Sequence, residues 1–161
     1  MSKMTRVAVL GLVVMSSFCA LGARAGTASY PGTLCVQIDA PTFRMTTSYG
    51  GGRVTTFETR AVDVECPVTQ TGGNVTAASV SADKWPAAPS AVLSCRVTVA
   101  DRFGQNVHSS PAVTATTTSS IMTLAAVPFS YPAGIKFIRC TIPAANFDNT
   151  GAILSYSVTE A

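Results

Sequence analysis

The sequence predicts an all-β chain: one antiparallel β-sandwich of about eight to nine strands, stapled by two disulfides. Three observations lead there. Apolar and polar residues alternate with a period of two along several segments, the repeat of a half-buried strand. Glycine and proline clusters punctuate those segments about every dozen residues, as in an antiparallel sandwich or barrel. Charged residues make up only 12% of the chain, and the abundance of Thr, Ser, Ala and Val fits hydroxyl-covered sheets better than solvated helices.

Residues 1–25 stand apart from this pattern. Lys3 and Arg6 precede an unbroken apolar run over 7–15, and the segment closes on Ala23-Arg24-Ala25. A cationic start, a short apolar core and small residues before a cut make a secretory leader. The run is shorter than the roughly 20 apolar residues that a membrane span needs. The expected division is a signal peptide over 1–25, cleavage between Ala25 and Gly26, and a β-sandwich domain over 26–161. The processed chain is expected to be secreted or periplasmic, without membrane insertion. Cys19 does not make a lipid-anchor motif, because Ser16 and Phe18 hold the places that need a Leu-like and a small residue.

Removing the leader changes the charge. The formal net charge is +3, with eleven cations against eight acids. Lys3, Arg6 and Arg24 leave with the leader, so the remaining cations and acids balance. Nucleic-acid binding draws on a clustered basic excess, and these cations are scattered singly; nucleic acid is not an expected partner.

In chain order, the strand-like segments are 34–39, 42–47, 53–59, 61–66, 75–81, 93–99, 122–127, 137–142 and 154–159. The alternation is clearest where Val62, Val64 and Cys66 oppose Asp63 and Glu65. It recurs where Leu93, Cys95, Val97 and Val99 oppose Ser94, Arg96 and Thr98. Ile138, Cys140 and Ile142 likewise oppose Phe137, Arg139 and Thr141, and Leu154, Tyr156 and Val158 oppose Ser155, Ser157 and Thr159. Gly50-Gly51-Gly52 reads as a hairpin connection, since glycine accepts positive φ. Turn chemistry also marks Thr71-Gly72-Gly73-Asn74, Trp85 to Pro89, Phe103 to Asn106 and Asp148 to Gly151. The immunoglobulin signature is missing, because Trp85 precedes both Cys95 and Cys140.

Cys35, Cys66, Cys95 and Cys140 are an even set in an exported chain, which reads as two disulfides. Four cysteines allow three pairings, and sequence does not choose among them. The sequential arrangement, Cys35–Cys66 with Cys95–Cys140, is the one expected. Each bridge is worth roughly 3–4 kcal/mol on the chain-entropy model. Closely spaced ligand pairs are lacking and His108 is the single histidine, so no metal and no cofactor are expected.

Tyr30-Pro31-Gly32-Thr33-Leu34-Cys35-Val36, Val64-Glu65-Cys66-Pro67-Val68, Ser94-Cys95-Arg96-Val97 and Cys140-Thr141-Ile142-Pro143 together resemble a group of small exported four-cysteine, β-rich proteins of Gram-negative bacteria. The resemblance runs from about Tyr30 onward. It implies export and paired cysteines, and it brings no assigned activity or functional residue.

Candidate sites are few. His108 lies in a polar stretch without a G-x-S-x-G elbow in the chain, so a Ser-His-Asp unit is not expected. Asp63 and Glu65 project from one face of a strand; such pairs serve glycoside hydrolysis or calcium binding, and more commonly form a solvated sheet face. Asp148 to Gly151 lacks the ligand series of a calcium loop. Trp85, beside Pro86, is the candidate for stacking on a sugar ring, with Tyr30, Tyr49 and Tyr131 as the other loop aromatics. The Thr- and Ser-rich stretch 114–120 reads as a loop, the one place an inhibitor would present.

The reading that follows is an exported, disulfide-stabilised, non-catalytic β-sandwich, a binding or cell-envelope component whose partner is a glycan or an envelope protein. The alternatives are a secreted hydrolase or hydrolase inhibitor, and a pilin-like or coat-like subunit joined through sheet edges. The pilin alternative lacks a penultimate aromatic, since Tyr156 lies too far from Ala161.

Overall fold

The computed structural model describes residues 26–38, 45–48, 52–56, 60–69, 73–84, 92–105, 107–115, 117–131, 133–144 and 151–161. Residues 1–25, read above as a leader with cleavage expected after Ala25, lie outside the described residues, as do Tyr49, Gly50, Gly51, Trp85 to Pro89 and Asp148 to Thr150.

Among the described residues, twelve strands form two antiparallel sheets. They are β1 (Gly26–Pro31), β2 (Val36–Gln37), β3 (Met45–Ser48), β4 (Arg53–Thr56), β5 (Val62–Pro67), β6 (Val75–Lys84), β7 (Ser94–Ala100), β8 (Val107–Ser109), β9 (Val113–Thr114), β10 (Ser119–Leu124), β11 (Ile135–Ile142) and β12 (Gly151–Glu160). The back sheet runs β10-β6-β12-β4-β3, with β1 also on β12. The front sheet runs β2-β5-β11-β7-β8, with β9 also on β7. Each of the nine expected strands has a counterpart. The additional three, β1, β8 and β9, are short or almost wholly exposed, and therefore carry no alternating apolar pattern to read.

The segment expected as a strand from 34 shrinks to Val36–Gln37, because a 3-10 turn occupies Gly32–Leu34. Gly32 makes that turn possible: a Cβ there would collide with the Ile153 carbonyl oxygen. Gly52, at φ +66°, closes the β3–β4 hairpin in the left-handed region that glycine occupies without strain.

Tyr156, Leu93, Ile138, Ile142, Ile153 and the valines of both sheets fill the space between the layers. Both disulfides take the sequential pairing, Cys35–Cys66 and Cys95–Cys140, with Cα atoms 3.9 and 4.1 Å apart. Both lie within the front sheet. Cys95 and Cys140 face each other across β7 and β11, and Cys35 precedes the Val36–Glu65 pair that joins β2 to β5. Each bridge thus fixes the register of two neighbouring strands.

Polar contacts tie front to back. Lys136 Nζ meets Glu160 Oε1 at 2.9 Å, each side chain 4% exposed, and also donates to the Gly73 carbonyl. The Tyr156 hydroxyl donates to the Pro67 carbonyl at 2.6 Å. Burial, and then the neighbouring Tyr30, push the Tyr156 phenol up to about 12. Among the described residues, no helix is long and apolar enough to cross a membrane.

Candidate functional site: the outer face of the front sheet

Period-two alternation sends one residue in two of each front strand outward, and antiparallel register then lines those residues up in rows. One row reads Val36, Glu65, Arg139, Arg96. The row on one side of it reads Pro67, Phe137, Thr98, Ser109. On the other side lies Asp63, Thr141, Ser94, Thr114. Beyond Phe137 the face ends in Ile135, Ala100 and Val107. One end is therefore apolar and the other ionic, with Phe137 and Arg139 at the join.

The ionic end is ordered by its own contacts. Arg139 Nη2 donates to Glu65 Oε1 at 2.7 Å, and its guanidinium carbon stands 5.9 Å from the Phe137 ring centre. Thr141 Oγ1 donates to Asp63 Oδ1 at 2.6 Å. The Thr98 and Ser109 hydroxyls pair at 3.0 Å. Arg139 Nε is shielded from solvent and has no acceptor among the described residues.

Three shallow depressions open around Phe137 and Arg139. One of 230 Å³ is lined by Arg96, Thr98, Val107, Ile135, Phe137 and Arg139 among others. One of 140 Å³ lies between Asp63, Ser94, Arg96, Arg139 and Thr141. The third, of 260 Å³, lies between Val36, Pro67, Ile135 and Phe137. Beside the apolar end, the β7–β8 turn is held by Asp101 Oδ1, which accepts from the Phe103 and Gln105 amides at 3.0 and 2.9 Å. That turn presents Phe103, 69% exposed, with the Arg102 guanidinium 4.5 Å above its ring.

The residues singled out from sequence are distributed unevenly. Asp63 and Glu65 do lie on this face, each engaged by a neighbouring side chain. His108 does not: it is half-buried at the sheet edge, where its ring stacks on Phe129 at 3.7 Å and lies 6.0 Å from Tyr131. Tyr30 stacks on Tyr156 at 5.0 Å, and its hydroxyl accepts from the Thr69 amide. Trp85 and Tyr49 lie outside the described residues. The polar stretch 114–120 joins the end of β9 to the start of β10, and Thr117 closes it through bonds of 2.8 Å to the Ser119 carbonyl and the Ser120 hydroxyl. Phe137 and Arg96, which dominate the face, were read only as the outward side of their strands. An aromatic within the outward series Phe137, Arg139, Thr141 was the signal that marked them.

No family model and no curated protein matches the chain. Solved structures do. A family 29 carbohydrate-binding module, studied for its mechanism of ligand recognition, superposes at TM-score 0.53 and 10% identity, covering 84% of this chain and 86% of that one. A mutant of a family 29 carbohydrate-binding module gives 0.52 at 10% identity, covering 84% and 92%. A low-affinity xylan-binding module of family 86, from the gut symbiont Roseburia intestinalis, gives 0.51 at 10% identity, covering 85% and 97%. At this identity the likeness is one of fold: the β-sandwich of these modules.

Proposed function

We propose that the chain is an exported, non-catalytic glycan-binding module that reads its ligand on the outer face of the front sheet. The observation that carries this reading is the composition of that face. An aromatic ring, Phe137, is flanked by a fixed guanidinium–carboxylate pair and by paired hydroxyls, over shallow depressions instead of a deep cleft. Sugars offer an apolar ring face and a fringe of hydroxyls, so they need a stacking surface with hydrogen-bonding groups at fixed distances. The disulfides supply the fixing. Cys95–Cys140 is the register row next to Arg96–Arg139, and Cys35–Cys66 borders Val36–Glu65. Less ordering is then left to be done on binding.

The same geometry argues against hydrolysis. Glu65 accepts from Arg139 at 2.7 Å and Asp63 from Thr141 at 2.6 Å on one open strand face, whereas glycosidase carboxylates flank the scissile bond from two sides. Two disulfides fit an oxidising compartment, in agreement with the leader expected over 1–25.

Isothermal titration of the oxidised, exported protein with cellohexaose, mannohexaose, xylohexaose and oligogalacturonate tests the reading. Saturable binding to at least one of them is expected, weakened roughly tenfold by Phe137→Ala, equivalent to about 1.4 kcal/mol. Binding to none of them, or binding indifferent to Phe137→Ala, contradicts it.

A further inference from the structure

Arg139 has two cross-strand neighbours on the front face: Glu65 on β5 and Arg96 on β7. Like charges directly opposite on adjacent strands repel. The Glu65 carboxylate answers Arg139 alone, at 2.7 Å. Arg96 is exposed and makes no hydrogen bond or ion pair among the described residues. Both arginines line both the 140 Å³ and the 230 Å³ depressions. The two carboxylates of the face, Asp63 and Glu65, are engaged by Thr141 and Arg139. Arg96 therefore stands without an ion-pair partner among the described residues where the two depressions meet, in a row where a second cation already lies opposite. A guanidinium receives a carboxylate through two parallel N–H···O bonds.

We propose that the face is selective for acidic glycans, and that the carboxylate of a uronic acid residue seats on Arg96 beside Arg139. This rests on the glycan reading above. The neighbouring sugar of the chain then lies over Phe137, with Ile135 and Val107 beyond it, so the ionic and apolar ends of the face read successive residues. Thr98, Ser109, Ser94 and Thr141 supply hydroxyls along the same line. In the free protein Arg96 opposes Arg139 without return, and its charge is used only when an anion arrives. That is the signature of a binding residue retained at a cost in stability.

The test pairs two probes that differ in charge and little else: oligogalacturonate and its methyl ester, titrated at low salt, with xylohexaose and a sulfated galactan oligosaccharide alongside. Acid bound at least about tenfold tighter than ester is expected, with the preference falling below about threefold in Arg96→Gln, a tenfold ratio corresponding to about 1.4 kcal/mol. Arg53→Gln removes an equal charge from the exposed end of β4 in the other sheet and should keep the preference. Arg96→Gln should also raise Tm at low salt, an effect that vanishes at high salt as the repulsion is screened. Equal binding of acid and ester, with saturable binding to xylohexaose, overturns the acidic-glycan inference and leaves the glycan reading standing. Binding to none of these probes overturns the acidic-glycan inference, and if cellohexaose and mannohexaose also fail to bind, the glycan reading falls with it. A sulfated probe bound more tightly than the uronate, or a preference that survives Arg96→Gln, overturns the assignment of the carboxylate to Arg96.

Discussion

The two sheets are built on one pattern and finished differently. Each sends alternate residues outward, but the back sheet exposes hydroxyls that satisfy one another. Thr27 pairs with Thr159 at 2.8 Å and Ser79 with Ser157 at 2.8 Å, while Thr76 donates to the Thr159 carbonyl. The front sheet exposes Glu65, Arg139, Arg96, Asp63 and Phe137, and both disulfides lie in it. Covalent stapling and ligand-capable chemistry therefore coincide in one layer. The back sheet, without a bridge among its described residues, depends on its ladders and on the packing of Tyr156, Ile153 and Val158 against the front. The difference teaches that polarity alone does not mark a site: paired hydroxyls occur in both layers, Thr98 with Ser109 in front and Ser79 with Ser157 behind, whereas among the described residues the front sheet sets one guanidinium opposite another.

This contrast can be broken or sharpened in order of effect. Replacing Cys95 and Cys140 together by Ala should cost about 4 kcal/mol of unfolding free energy, since the bridge closes a 45-residue loop. Replacing Ser79 and Ser157 together by Ala should cost less than about 1 kcal/mol, because both partners leave at once. Urea denaturation of the two variants measures the gap, and equal losses would remove the distinction between the layers. Where the layers meet, Glu160→Ala should cost roughly 3 kcal/mol by leaving Lys136 buried without its counter-charge, while Lys136→Met with Glu160→Leu should come close to neutral.

A smaller effect is read by pH. The Tyr156 phenol is raised from its ordinary 10.0 to about 12. Between those values the unfolded chain has released a proton that the folded chain still holds, so stability falls as pH rises through this window. Below pH 10 the contribution is complete. Tyr156→Phe should flatten the stability curve between pH 10 and 12 while losing the bond to Pro67, and denaturant midpoints across that range check it. The smallest expected gain lies in the turn before β11. There Ala133 stands at φ +56°, with the Gly134 amide bonded to the Tyr131 carbonyl at 2.9 Å. Ala133→Gly should stabilise by a few tenths to about 1 kcal/mol, which a thermal melt resolves.

Much of the fold was legible because its strands obey a strict period. Val62, Val64 and Cys66 alternate without a break, and so do Ile138, Cys140 and Ile142; burial followed that alternation. β1 and β8 were not legible, since five of six residues in β1 are exposed and β8 has three residues. The site was half legible. Asp63 and Glu65 were visible as outward neighbours on one strand. Their partners Thr141 and Arg139 lie 74 or more positions away, and only the β5–β11 register brings them together. His108, placed by the sequence only in a polar stretch, stacks on Phe129, which no local pattern links to it.

The most direct test of the account maps amide shifts in ¹H–¹⁵N spectra as oligogalacturonate is titrated into the oxidised protein. The account predicts changes concentrated at Arg96, Thr98, Phe137, Arg139 and Thr141, with Thr27, Ser79, Ser157 and Thr159 unmoved. Changes centred on the back-sheet hydroxyls, or spread evenly over both layers, would contradict it.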